Sequence, residues 1–87
     1  MEIKIAKFEL YPKEEPTGYA VGFNVTTTNG RSFYSDIPVL FDEISTDSTD
    51  EEIIQIGYDK LKDGITSRVQ QLEAKGNIIG STFSPVE

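Results

Sequence analysis

The densest group of side chains that could do chemistry is a run of carboxylates between residues 42 and 52. These eleven residues hold six acids and no base, namely Asp42, Glu43, Asp47, Asp50, Glu51 and Glu52. Clustered carboxylates can bind calcium or imitate a nucleic-acid backbone, but this spacing does not fit the calcium loop of an EF-hand. We favour a simpler interpretation, a solvated linker followed by acids that cap a helix.

Catalytic chemistry of other kinds lacks its usual residues. The chain contains no histidine and no cysteine, which removes the commonest general base, the commonest zinc ligands and any disulfide. A serine nucleophile needs an activating base. The serines and threonines instead cluster at turns and caps, where hydrogen bonding to the backbone explains them. We therefore expect no enzyme, no cofactor and no metal site.

Composition and charge narrow the class further. With 87 residues, of which 37% are hydrophobic, the chain predicts one domain with a modest core. A net charge of −7 argues against direct nucleic-acid binding, which needs a basic surface. No stretch resembles a signal peptide or a membrane span, so we expect a cytoplasmic protein without a membrane partner.

One long amphipathic helix is predicted over residues 49–75. Its start has two N-cap candidates, Ser48 and Thr49, each followed by a glutamate three residues later. Its end is marked by Lys75 and then Gly76, a typical C-terminal cap. The apolar positions follow the helical period of about 3.6 residues: Ile54, Tyr58, Leu61, Ile65, Val69 and Leu72.

Two glycines interrupt this helix on one side, Gly57 and Gly64. Each costs roughly 1 kcal/mol relative to alanine in a helix interior. They would let a partner's backbone or aromatic ring approach closely. Alternatively, they pack on the aromatic residues of the protein's own sheet or allow a mild bend at Gly64, and we favour this second interpretation.

The length of the helix suggests that part of it lies beyond the sheet. It would be near 40 Å long, whereas a compact chain of this size has a radius of gyration of about 12 Å. We therefore expect Ile65, Val69 and Leu72 to extend past the sheet and to need a cover.

Residues 1–41 show the alternation of strands, with segments 2–11, 19–27 and 31–41. In the first strand the apolar phase switches at Ala6 and Lys7, which predicts a bulge or a bend. Between the second and third, a three-residue loop ending at Gly30 would place Val25 opposite Phe33 on one apolar face. It predicts a type I turn with Gly30 in a G1 bulge.

The remaining surfaces leave alternatives open. The second face of the sheet is small and polar, and it is either solvent-exposed or a partner surface with Tyr34 as its anchor. Pro38 predicts that the third strand is an edge. Residues 42–48 form an acidic linker, and residues 76–87 form a tail or a fourth strand that carries Ile78, Ile79 and Phe83.

Together these features predict an α+β domain spanning residues 1–87. A meander of three to four antiparallel strands packs on one long C-terminal helix, followed by a short tail or strand. The candidate interaction residues are Ile65, Val69, Leu72, Ile78, Ile79, Phe83, Tyr34, Gly57 and Gly64.

Two segments carry a resemblance to known proteins. Residues 18–34 (GYAVGFNVTTTNGRSFY) and 50–64 (DEEIIQIGYDKLKDG) resemble small uncharacterised proteins of phages and prophages of Gram-positive bacteria. The resemblance lies in hydrophobic patterns and turn residues, and it implies no activity and no functional residue. It favours an accessory protein, in the host cytoplasm or the virion, that acts by binding something.

These observations predict a non-enzymatic interaction module that self-associates, with a protein partner that is a second copy of itself. The expected contact is the second half of the helix together with the tail, in a symmetric two-fold arrangement. The alternative is an acidic inhibitor that occupies a basic nucleic-acid site on a host protein.

Overall fold

A three-stranded antiparallel sheet packs against one C-terminal helix, which confirms the predicted α+β class. The computed structural model describes residues 1–74, 80 and 82–86. Its elements are β1 (Glu2–Tyr11), β2 (Gly18–Thr26), β3 (Ser32–Leu40), a 3-10 turn at Phe41–Glu43 and α1 (Asp50–Ala74). The strands lie in the order β1-β2-β3.

The last part of the chain tests few predictions. The predicted helix end at Lys75 and Gly76, and the apolar Ile78 and Ile79, lie outside the described residues. Residues 82–86 are described, and they are exposed and without regular secondary structure.

The pairing of β1 with β2 contains the predicted bulge. Ile5 lies opposite Phe23, and the next paired residue of β1 is Lys7, so Ala6 is the extra residue. Because the extra residue resets the alternation, the apolar side chains before and after it point to the same face. These are Ile3, Ile5, Phe8 and Leu10, opposite Val25, Phe23, Val21 and Tyr19.

The β2–β3 hairpin has the predicted register. Val25 lies opposite Phe33, the Thr27 N–H donates to the Arg31 carbonyl at 2.7 Å, and the Gly30 N–H donates to the Thr27 carbonyl at 3.1 Å. Gly30 has a φ of +83°, and in the described part of the chain no residue other than glycine has a positive φ. A two-residue type I′ turn would require a positive φ at Asn29 as well, so the three-residue loop is the one present.

The core forms where α1 lies on β2 and β3. Val21, Val25 and Val39 are fully buried there together with Phe23, Ile53, Ile65 and Val69. The Tyr58 ring meets the Phe23 ring edge-on, with centroids 5.9 Å apart. Gly57 is buried against Val21, and an added Cβ at Gly57 would lie only 3.0 Å from Val21 Cβ. At this glycine the predicted packing on the protein's own sheet is therefore confirmed.

The expectation that the second half of the helix extends beyond the sheet is wrong. Ile65 and Val69 are only 2% and 7% exposed, within the core. The hairpin reaches the last turn of α1, where the Thr28 hydroxyl and N–H donate to the Glu73 carboxylate and Asn29 Nδ2 donates to the Leu72 carbonyl at 3.1 Å. Strands of nine residues span about 30 Å, so the sheet is nearly as long as the helix.

The start of α1 is capped as predicted, with Thr49 in the N-cap position. Thr49 Oγ1 accepts the Glu52 N–H, and the Glu52 carboxylate accepts the Thr49 N–H, both at 3.2 Å. This reciprocal pair satisfies backbone donors that the first helical turn leaves free.

A second polar contact joins α1 to the end of β3. The Lys60 ammonium donates to the Glu43 carboxylate at 2.5 Å and to the Pro38 carbonyl at 3.3 Å. The Glu43 carboxylate also accepts the Leu40 N–H at 2.7 Å. The hydrogen bond from Lys60, and then that from Leu40, lowers the pKa of Glu43 below its ordinary value of 4.5.

The two helix glycines are expected to respond oppositely to alanine. At Gly64 no neighbour lies within 4 Å of an added Cβ, so Gly64→Ala should raise the free energy of unfolding by about 1 kcal/mol through helix propensity. At Gly57 the same gain is offset by overpacking against Val21, which costs about 1–3 kcal/mol. Urea unfolding followed by circular dichroism measures both, and equal stabilisation by the two variants would contradict the packing.

Stability should depend on pH through Glu43. A carboxylate whose pKa is lower in the folded than in the unfolded state contributes stability above the unfolded pKa, and that contribution is lost as the pH falls through the folded pKa. When the pH is lowered from neutral to below 4.5, the urea midpoint of Glu43→Gln should therefore fall by less than that of wild type. Glu14→Gln, in the loop between β1 and β2, is the control and should behave as wild type; an unchanged acid response in Glu43→Gln would refute the expectation.

Candidate protein-interaction surface

The helix covers two strands of the sheet and leaves the apolar side of β1 open. α1 packs on β3 and β2, and the β2 residue Phe23 is buried beneath it. Ile5, directly opposite Phe23, is 60% exposed, and Leu10 is 46% exposed. We call the four apolar residues Ile3, Ile5, Phe8 and Leu10 the β1 strip.

Part of the β1 strip packs against neighbouring aromatic rings. The Phe8 ring stacks on the Tyr19 ring with centroids 5.0 Å apart and planes within 7°. Tyr19 in turn meets Phe41 edge-on at 5.9 Å. Ile3 and Phe8 are half-buried and pack against the core, whereas Ile5 and Leu10, which alternate with them along the strand, are exposed.

The backbone of the same four residues faces the free edge of the sheet. In an antiparallel pair, hydrogen-bonded and non-hydrogen-bonded positions alternate. Thr27 and Arg31 form a hydrogen-bonded pair. Every second residue back along β2 is then also hydrogen-bonded to β3, so Val25, Phe23 and Val21 direct their backbone groups toward β3. Their partners on β1 are therefore not hydrogen-bonded to β2, and the β1 strip turns its N–H and C=O groups outward.

The other edge of the sheet is closed by the protein's own residues at its Pro38–Leu40 end, while Ser32, Tyr34 and Asp36 also turn their backbone groups outward. β3 is an edge strand, as Pro38 predicted. The same alternation turns Pro38 and Leu40 outward, but Pro38 has no N–H to donate. Its carbonyl accepts Lys60, and the Leu40 N–H is taken by Glu43. Within the described part of the chain, no side chain occupies the outward backbone groups of β1 in this way.

The polar face of the sheet holds Tyr34 in a fixed position. Its ring lies across Gly22, where an added Cβ would meet Tyr34 Cζ at 2.8 Å. Desolvation, and then the neighbouring Asp36 carboxylate, raises the pKa of the Tyr34 hydroxyl above its ordinary value of 10.0. Tyr34 is nevertheless half-exposed, so it can still contact a partner.

An open groove lies on this polar face beside Tyr34. It has a volume of about 360 Å³ and is lined by Lys7, Tyr11, Ala20, Asp36, Ile37 and Pro38. Lys7 and Asp36 give it one charge of each sign, and neither is a nucleophile with an adjacent base. The groove can accept a polar side chain, and its residues suggest no reaction.

The acidic stretch is partly used by the protein itself. Glu43 pairs with Lys60, and Glu52 caps α1. The other acids in the stretch, Asp42, Asp47, Asp50 and Glu51, are exposed. Among the described residues no group of three or more acids is arranged to hold a metal ion, and no described helix is long and apolar enough to cross a membrane.

The structure separates the residues that the sequence grouped as an interaction site. Gly57, Ile65 and Val69 are buried against the protein's own sheet, and Leu72 is half-buried near the hairpin. Gly64 is exposed beside open space, and Phe83 is 83% exposed.

Sequence reasoning missed the β1 strip, although the width of a helix was a usable signal. A helix about 10 Å across covers roughly two strands spaced about 4.8 Å apart. One strand of a three-stranded sheet must then remain uncovered. The chain matches no protein-family model, no curated protein and no solved structure, so its function is inferred from its own residues.

Proposed function

We propose that this protein is a non-enzymatic protein–protein interaction module that self-associates, of the accessory kind that its resemblance to phage and prophage proteins suggests. One observation carries the proposal: the β1 strip combines exposed apolar side chains with an open strand edge. The Ile5 and Leu10 side chains are exposed, and the N–H and C=O groups of the same strand face outward beside them.

Both parts of this surface favour a partner strand. Fully burying an isoleucine or leucine side chain contributes about 1.5–3 kcal/mol, and each new backbone hydrogen bond contributes about 0.5–1.5 kcal/mol. An added strand would supply several of both at once, which is the mode of recognition by strand addition. Association costs at least about 4 kcal/mol, and a contact of this kind is large enough to offset that cost.

The contact surface proposed here differs from the one that the sequence suggested. Ile65 and Val69 already pack on β2 and β3 in a single chain, so they have no apolar surface left to offer. On β1, by contrast, Ile5 and Leu10 are exposed. Other exposed apolar or aromatic side chains among the described residues include Tyr34 on the polar face, Leu40 and Phe41 at the end of β3, and Phe83 and Val86 in the tail.

Self-association should depend on the β1 strip. The double variant Ile5→Thr/Leu10→Thr places a β-branched residue, which suits a strand, at both exposed positions but removes apolar surface worth roughly 1 kcal/mol per site. Because a symmetric dimer contains each site twice, its dissociation constant should rise at least about tenfold. Sedimentation equilibrium over a range of concentrations measures this for wild type and variant.

The matched control is Phe83→Ser, which removes an exposed apolar side chain from the tail. It should leave the dissociation constant unchanged. A wild-type chain that stays monomeric at the highest concentration refutes self-association. A dimer that is lost with Phe83→Ser but kept in the double variant would move the contact from β1 to the tail.

A further inference from the structure

The sequence of β1 has a reversed symmetry about the bond between Ala6 and Lys7. Moving outward from that point, Ile5 matches Phe8, Lys4 matches Glu9, Ile3 matches Leu10 and Glu2 matches Tyr11. Apolar positions thus coincide with apolar ones, and a base coincides with an acid. Such a strand is complementary to a second copy of itself in the antiparallel direction.

We propose that β1 pairs antiparallel with β1 of a second copy at the free edge, in this one register, with the two-fold axis between Ala6 and Lys7. The result is a continuous six-stranded sheet. This inference rests on the proposed function and adds the partner, the edge and the register.

The backbone geometry supports the pairing. Ile3, Ile5, Phe8 and Leu10 are the residues whose N–H and C=O groups face outward. In the proposed register Ile5 lies opposite Phe8 of the partner subunit, and Ile3 lies opposite Leu10 of the partner subunit. Each such pair can exchange two hydrogen bonds. The side chains of these pairs extend the apolar face, where Ile5 and Leu10 are exposed in the single chain.

Charge complementarity fixes the same register on the opposite face. Lys4 lies opposite Glu9 of the partner subunit, and both side chains are accessible, at 73% and 45%. Within one chain Lys4 forms an ion pair with Glu2, at 3.6 Å, and Glu9 forms one with Lys7, at 3.7 Å. These exposed pairs contribute little, so both groups can turn to a partner across the edge.

Neighbouring registers are unfavourable for definite reasons. A shift by two residues in one direction places Lys4 against Lys7 and Glu2 against Glu9. A shift in the other direction places Phe8 against Lys7. A shift by one residue places Ile5 against a charged residue in either direction, because a one-residue slip exchanges the two faces.

Lysines and bulges on an edge strand usually prevent edge-to-edge pairing, and both are present in β1. In the proposed register they select one pairing. Lys4 meets an acid only there, and the extra residue Ala6 of each copy lies beside the two-fold axis, so the two bulges match. The helices do not interfere, since each lies on β2 and β3 of its own chain.

Cysteine cross-linking tests the register directly, and the chain has no cysteine of its own. Lys4 and Glu9 form non-hydrogen-bonded pairs across the edge, with Cα atoms about 4.5 Å apart, which is within the range of a disulfide. A mixture of Lys4→Cys and Glu9→Cys chains should form the mixed disulfide dimer under mild oxidation. A mixture of Glu2→Cys and Glu9→Cys chains, which the shifted register would link, should not.

Charge reversal gives a second readout that needs no disulfide. Lys4→Glu replaces two attractive cross-strand pairs by two repulsive ones, each pair changing the affinity roughly two- to fivefold, so dimerisation should weaken about tenfold. The double variant Lys4→Glu/Glu9→Lys should restore it. Within one chain the double variant places like charges beside Glu2 and Lys7, so the ion pairs of Lys4 with Glu2 and of Lys7 with Glu9 stay broken. Restored dimerisation would therefore come from the contact between chains.

The outcomes distinguish this inference from the proposed function. A monomeric wild type overturns both. A dimer in which Lys4→Cys and Glu9→Cys do not link, in which Glu2→Cys and Glu9→Cys link instead, or in which the double charge reversal fails to rescue, overturns the register and leaves self-association standing. Linkage together with rescue supports the pairing.

Discussion

The structure depends on one constraint, the width of a single helix relative to a three-stranded sheet. A helix about 10 Å across shields roughly two strands. The connection from β3 to α1 is short, only residues 41–49, so the helix returns over β3 and then β2. Val21, Val25 and Val39 are fully buried beneath it, while Ile5 on β1 is left in solvent. The main core and the open surface have the same cause.

Because α1 and the β2–β3 hairpin are similar in length, polar contacts join them at more than one point along the helix. The 25 residues of α1 span about 37 Å, and the β2–β3 hairpin extends nearly as far. Near the middle of α1, Lys60 pairs with Glu43 beyond the end of β3, and in the last turn the Glu73 carboxylate accepts the Thr28 N–H from the hairpin. One turn before Lys60, Gly57 lets the backbone of α1 approach Val21. The molecule is elongated, with a radius of gyration of 17.7 Å.

The two edges of the sheet, β1 and β3, are chemically different. Near its end β3 contains Pro38, which has no N–H and whose carbonyl accepts Lys60, and it ends at Leu40, whose N–H donates to Glu43. β1 presents outward backbone groups, apolar side chains and a charge pattern that complements its own reverse.

The sequence by itself determined the features that nearest neighbours control. Alternation and turn chemistry predicted the strands, the bulge at Ala6, the hairpin register and the Thr49 cap, because each depends on residues a few positions apart. Only the tertiary structure decided that Ile65 and Val69 are buried and that β1 is uncovered. Those outcomes depend on which strands a helix distant in sequence lies across, and on the length of the sheet, neither of which is encoded in a local pattern.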